Sequence, residues 1–182
     1  LKLEESLKEK DKIAKYNESI IEAEDKLDLY EKEIYDSNFS LLSKSLSKEL
    51  IEDTRMNLLA CDEYETIGDY QNRIANRLFM LYENSIELDE VRAKMAFKLH
   101  SLSVELFNDI SRAVRTNEKE LYPIGMKKYQ ALKAYYKEVK REHFSRAENI
   151  PARLNTGYLD IINYYKRIAD HTYNIIEYVM KI

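Results

Sequence analysis

Residues 65–74 read ETIGDYQNRI, and residues 166–175, 101 positions later, read KRIADHTYNI. Each places an Ile two residues before an Asp (Ile67 and Asp69, Ile168 and Asp170), a small residue between them (Gly68, Ala169) and another Ile five residues on (Ile74, Ile175). Apolar positions three and four apart continue around both stretches. That is the period of one buried helix face, not the alternation of a strand. Two copies of one helical pattern predict an all-α chain assembled twice from related units. The copies differ at one telling place: Glu65 stands where the second has Lys166.

Composition agrees. Three Gly and two Pro in 182 residues leave few places to break helices, and no Asn-Gly or Asp-Gly hairpin signal is present. With 45% hydrophobic and 34% charged residues the chain is globular rather than disordered. Its length suits one domain, 1–182, with a first unit at 1–84 and a second at 85–182. A formal charge of −4 argues against a nucleic-acid partner, which would meet a basic face. The single cysteine, Cys61, excludes an intrachain disulfide and fits a reducing compartment. No stretch approaches the ~18 apolar residues of a membrane span, and no signal peptide is visible. The sequence opens LKLEES, without Met and already amphipathic, and reads as a piece of a longer protein.

Five helices follow from the periodicity. The first carries the stripe Ile13, Tyr16, Ile20, Ala23, Leu27, Tyr30 and Ile34 and is expected to end at SNFS, 37–40. The second runs from about Lys44 to Glu83, and the third over about 87–115 with Asn84-Ser85 and Glu87 as its cap pair. The fourth spans about 120–147, and NIPARLNTG, 149–157, is the clearest break before the fifth. Short links make this an elongated antiparallel bundle of two three-helix repeats, the first incomplete at its N-terminus. KEIYDSNFS (32–40) lines up with KEVKREHFS (137–145) at an offset of 105, against 101 for the opening pair.

The candidate chemistry lies in carboxylates. Glu65 and Asp69 share a helix face, as do Glu24 and Asp28 on the first helix. If the two helices pack antiparallel, four carboxylates converge on one patch, and hard oxygen ligands suit iron, manganese, magnesium or calcium. A solvated acidic face, or ion pairs with Arg73 or Arg77, accounts for the same spacing. In the second unit Glu65 becomes Lys166, and the 105 offset makes Tyr129 and Lys133 the counterparts of Glu24 and Asp28. Only Asp170 remains, a remnant of a second site, with Lys166 placed to balance it. His100, His143 and His171 show no metal-site spacing. Each has a packing reading beside any functional one. Cys61 reads as a small buried hydrophobe.

KRIADHTYNIIEYV resembles the ERIGDHxxNIAE pattern of PhoU-type phosphate-uptake regulators through Arg167, Ile168, Asp170, His171, Asn174, Ile175 and Glu177; ETIGD and AEDKLDLYEKEI fit the other repeat. The segment from Arg141 to His171 is most similar to the cytosolic tail of bacterial sodium/phosphate cotransporter-like membrane proteins, with Arg141, His143 and Arg146 in an approximate R-x-x-H-x-x-R arrangement. The resemblance implies two three-helix repeats, a regulatory rather than enzymatic role in phosphate transport, and a place on the cytoplasmic side of the inner membrane. The implied partner is a transmembrane transport domain of the same polypeptide or a separate phosphate transporter. A freestanding regulator and a structural helical adaptor are the alternatives. It also implies metal (iron, manganese, zinc or magnesium) on Glu24, Asp28, Glu65 and Asp69. A homodimer is a further expectation, from apolar surface left by an unfinished first unit.

Overall fold

The computed structural model describes residues 2–116, 118, 120–148 and 150–180, and side chains over 15–178 within these except at 17. Five helices account for it: α1 (Lys2–Leu42), α2 (Lys48–Glu83), α3 (Glu90–Thr116), α4 (Leu121–Ser145) and α5 (Ala152–Met180). No strand occurs among the described residues.

Helix ends depart from the sequence reading where capping overrides composition. SNFS does not stop α1, which continues to Leu42. The stop before α2 is made by Ser47, whose Oγ accepts the Leu50 N–H at 3.2 Å. The cap of α3 is Asp89, accepting from Val91 and Arg92 N–H at 3.1 and 3.0 Å, and not Asn84-Ser85. Asn84 and Ser85 instead close α2. Ile86 N–H bonds Leu81 O and Ser85 N–H bonds Tyr82 O, both at 2.9 Å, the paired bonds of a Schellman end. Only the front of 149–157 breaks the chain: the Pro151 carbonyl already accepts from Asn155 N–H, so a residue with no N–H to offer caps α5.

Successive helices run antiparallel. Tyr35 reaches Asp62 and Leu27 lies over Gly68, pairing α1 with α2. Tyr70 meets Tyr164 while Arg77 meets Asp160, pairing α2 with α5. Tyr136 reaches Asn163 and Tyr129 reaches Asp170, pairing α4 with α5. α3 packs on both α4 and α5, whereas among the described residues α1 packs chiefly on α2. The core runs through Ile67, Ile74, Leu99, Leu106, Ile110, Leu132, Val139, Ile162, Ile175 and Ile176.

The repeat register is corrected by the hydrogen bonds. Tyr35–Asp62 and Tyr136–Asn163 each join residues 27 apart at 2.5 Å, and the second pair lies 101 positions after the first on both helices. One offset therefore covers the whole helical pair. The 105 alignment slipped the first helix by about one turn, because a helix pattern nearly repeats after four residues. In the true register Asp28 corresponds to Tyr129, Glu24 to Gly125 and Glu31 to Leu132.

Ser85 holds φ at 53°, the left-handed region where a side chain costs about 1–2 kcal/mol relative to glycine. Ser85→Gly is expected to stabilise the protein by about 0.5–1 kcal/mol net of the entropy glycine adds to the unfolded chain, read as a higher urea midpoint with unchanged slope.

Candidate functional site

The α1–α2 pair brings together one flank of carboxylates. Burial raises the Glu65 carboxyl above its usual range, and the charges of Asp69, Glu31 and Asp28 push it the same way. Glu31 is raised first by burial and then by Asp62 and Asp28. Asp69 is held by Arg73 at 2.7 Å and Asp62 accepts from Tyr35, whose hydroxyl is thereby pushed up to about 12. Neither Glu31 nor Glu65 has a cationic partner among the described residues; Glu65 accepts only from Thr66 at 3.3 Å. Glu24 lies one turn before Asp28. The donors are of the kind a hard cation prefers. No three of the acidic, histidine and cysteine groups among the described residues stand close enough to hold an ion. Glu31 and Asp62 were not singled out by the sequence reading. The signal that would have found them is the 27-residue Tyr–Asp and Tyr–Asn spacing shared by the two units.

The second unit shows how the same backbone balances its charges internally. Tyr129, at the position of Asp28 in the first unit, donates to Asp170 at 3.0 Å. Lys166 reaches the other Asp170 oxygen at 2.5 Å where the first unit has Glu65. Burial and Asp170 push the Tyr129 hydroxyl up to about 12, so it stays a donor at neutral pH. Lys133 lies 4.9 Å from the Tyr129 ring centre. Lys166 thus does balance Asp170.

The histidines of the motif are structural joints. His143 is buried, accepts at Nδ1 from Arg92 Nε (3.1 Å), and lies 2.7 Å from Asn155 Oδ1 through Nε2. With Arg92 donating to Nδ1, Nε2 carries the proton and donates to Asn155. Arg92 also donates to Asp89 and to the Arg146 carbonyl, tying α3, the end of α4 and the start of α5 together. His171 Nδ1 meets Glu63 Oε2 at 2.6 Å and Asn174 Nδ2 donates to Glu63 Oε1 at 3.1 Å, so the motif's His and Asn jointly grip one buried carboxylate across α2 and α5. Glu63, unmarked by the sequence reading, is what those two residues serve. The pseudo-equivalent pair is Tyr164 with Tyr70, ring centres 5.6 Å apart. Arg167 is exposed, and His100 lies between the Phe97 and Tyr165 rings.

Burial, then the Arg92 charge, lowers the His143 pKa, against the Asn155 bond that raises it. The unfolded chain therefore takes up a proton that the folded chain refuses as pH falls below the usual value near 6.5. Stability is retained above that pH and declines below it, and His143→Gln should flatten the change in melting temperature between pH 7 and 5. Glu63→Ala should cost about 2–3 kcal/mol, since His171 and Asn174 lose their acceptor; Glu63→Gln should cost less. Glu31 carries the opposite sign to His143. Its folded pKa is raised, so the repulsion is absent at low pH and grows as pH rises through that value. Glu31→Gln should gain a few tenths of a kcal/mol at pH 7 and nothing near pH 4.

Comparison with known proteins follows the same two units. No curated protein matches the chain. Among solved structures, the crystal structure of the phosphate transport system regulatory protein PhoU from Streptococcus pneumoniae shares the fold, with a TM-score of 0.78 and 21% identity over 96% of this chain and 83% of that one. The PhoU domain matches residues 2–78 and again 97–179. Repeated in sequence and in hydrogen-bond register alike, those two matches show that the chain belongs to the PhoU domain family.

Proposed function

We propose that this chain regulates phosphate transport by binding a transport protein and biasing its conformation, without chemistry of its own. The observation that carries the reading is the PhoU domain match over both units. The fold shared with a phosphate transport system regulatory protein supports it. Regulation of this kind requires unequal affinity for two states of the partner. A bundle whose second unit is internally balanced and whose first unit carries unbalanced Glu31 and Glu65 offers an obvious side from which such a partner is engaged. A freestanding regulator on the cytoplasmic face accounts for these observations at least as well as the tail of a sodium/phosphate cotransporter. No helix among the described residues is long and apolar enough to cross a membrane.

A second reading, favoured by the mutual repulsion at Glu65, places a divalent cation (iron, manganese, zinc or magnesium) on Asp28, Glu65 and Asp69, with Glu24 one turn away. Such an ion would supply charge neutralisation there. It requires side-chain movement that draws Asp69 from Arg73.

Phosphate uptake by cells that carry or lack the intact protein tests the first reading. Uptake should respond to external phosphate only when the protein is present, and an identical response in both strains overturns it. Immunoblotting separates the two versions. A native product in the membrane fraction, larger than 21.7 kDa by a transport domain, means a fused regulator. Elemental analysis of tag-free protein beside Glu65→Ala/Asp69→Ala tests the ion: stoichiometric metal lost only in the variant supports it, and metal absent from both ends it.

A further inference from the structure

α4 is an edge helix. It packs on α3 and α5, while α1 lies beyond α2 on the far side of the α2–α5 contact. The two edges carry opposite charge. α4 has six Lys or Arg against two Glu, and α1 has seven Lys against twelve Asp or Glu. On α4 the charges are also sorted by face. Lys133, Lys137 and Arg141 recur every fourth residue, with Lys140 beside them and Phe144 three residues on, so the five share one side. Glu138 and Glu142 fall on another, and Arg146 answers Glu142.

The basic strip is open to solvent. Lys137 and Arg141 are exposed, and Phe144 is 54% exposed. Lys133 and Lys140 lie over the Tyr129 and Tyr136 rings, 4.9 and 5.9 Å from their centres. Those rings hold the lysine stems against the helix and leave the ammonium groups outward. None of the four cations has a carboxylate partner among the described residues. Asp170 of α5, which borders this side through Tyr129, is already held by Tyr129 and Lys166. The first unit does not repeat the strip. At the places of Lys137, Arg141 and Phe144 the 101 register puts Asp36, Ser40 and Ser43 on α1.

We propose that this strip is a contact for an anionic lipid surface, on which the domain sits edge-on with α4 against the phosphate headgroups and Phe144 among them. The chain as a whole carries a formal −4, and such a surface would repel it if charge were spread evenly. Edge-on orientation removes the conflict. From α4 across α5 and α2 to α1 are three interhelical spacings of roughly 8–10 Å each. The acidic edge therefore stands well beyond the screening length of about 8 Å at physiological salt. A lipid surface also fits the strip better than an acidic protein segment does. From Lys133 to Phe144 the strip runs straight for about 17 Å along the outer side of an edge helix. A bound peptide needs a groove for its own apolar face, whereas headgroups need only accessible cations and a shallow apolar anchor. The inference goes beyond the regulatory reading without resting on it, and it uses none of the carboxylates of α1 and α2.

The chain has no tryptophan, so a single introduced one reports its own surroundings. The full chain is sedimented with phosphatidylcholine vesicles that contain or lack phosphatidylglycerol. Binding to the anionic vesicles alone is expected, weakening as salt rises. Lys133→Gln/Lys137→Gln/Arg141→Gln should weaken it about a hundredfold, at roughly fivefold per charge, with helix content unchanged by circular dichroism. The same three positions as Arg should keep it, and Lys26→Gln/Lys32→Gln on α1 should leave it alone. Phe144→Trp should shift to the blue on anionic vesicles and be quenched by brominated lipid, whereas Leu29→Trp, on the exposed side of α1, should do neither. Equal binding to both kinds of vesicle, or to neither, overturns the proposal. So does binding that survives the triple glutamine variant, or quenching of Leu29→Trp as strong as that of Phe144→Trp. A poly-glutamate peptide that displaces the protein from the vesicles and protects Lys137 from acetylation better than they do assigns the strip to a protein partner and also overturns it. None of these outcomes bears on the uptake experiment.

Discussion

The antiparallel contact between α2 and α5 is the constraint on which the other helices depend. Each of these two helices buries one face against the other through Ile67, Ile74 and Leu81 on one side and Ile161, Ile168 and Ile175 on the other. A second face of each is left for a flanking helix, α1 or α4. Polar groups fix the register within this apolar contact. Glu63 is a buried carboxylate, and leaving it unpaired would cost several kcal/mol, on the order of 3–5. Only the alignment that puts His171 and Asn174 on its two oxygens satisfies it. A slip of one turn in either direction would strand the carboxylate and also break Arg77 from Asp160. Apolar burial supplies the energy, and Glu63 chooses the register.

Duplication has left the two units with one frame and opposite electrostatics. The tyrosine bonds to Asp62 and Asn163 are the same bond in both. Around Asp170 the chain supplies its own donor and cation, Tyr129 and Lys166. Around Asp69 it places further carboxylates, and among the described residues Arg73 is the cation that pairs with Asp69. Mutual repulsion at that spacing is small on an exposed helix, a few tenths of a kcal/mol per pair, which the core tolerates easily. A modest standing cost of this kind is stable in a folded protein and is relieved when something positive arrives. The asymmetry also bears on why Glu65 and Lys166 differ: Lys166 answers Asp170 in the second unit, while Glu65 stands among further carboxylates in the first.

The histidine motif shows how a sequence signature and a structural role diverge. D-H-x-x-N suggests a polar site, yet His171 and Asn174 serve the α2–α5 joint, and His143 with Arg92 serves the joint between α3, α4 and α5. Both are buried or half-buried networks whose members satisfy one another, the condition under which polar groups specify a core rather than weaken it.

Helix number, helix type and the twofold repetition were legible in the sequence, because apolar residues at three-and-four spacing mark a buried stripe wherever the helix is packed. The pairing of Lys166 with Asp170 was legible too, since four residues on one helix fix the distance between two side chains. Helix ends were less so: Ser47, Asp89 and Pro151 act through local backbone geometry, which SNFS and NIPARLNTG mimic in composition only. The register of the first helix against the second could not be read, because a helix pattern offset by four looks almost the same as one offset by none. Tertiary hydrogen bonds at Tyr35 and Tyr136 settled it, and with it the correspondence of Asp28 to Tyr129. Glu63 lay beyond the sequence for a related reason. A stripe tells which residues seek burial, but only the arrangement of the helices decides what each is buried against.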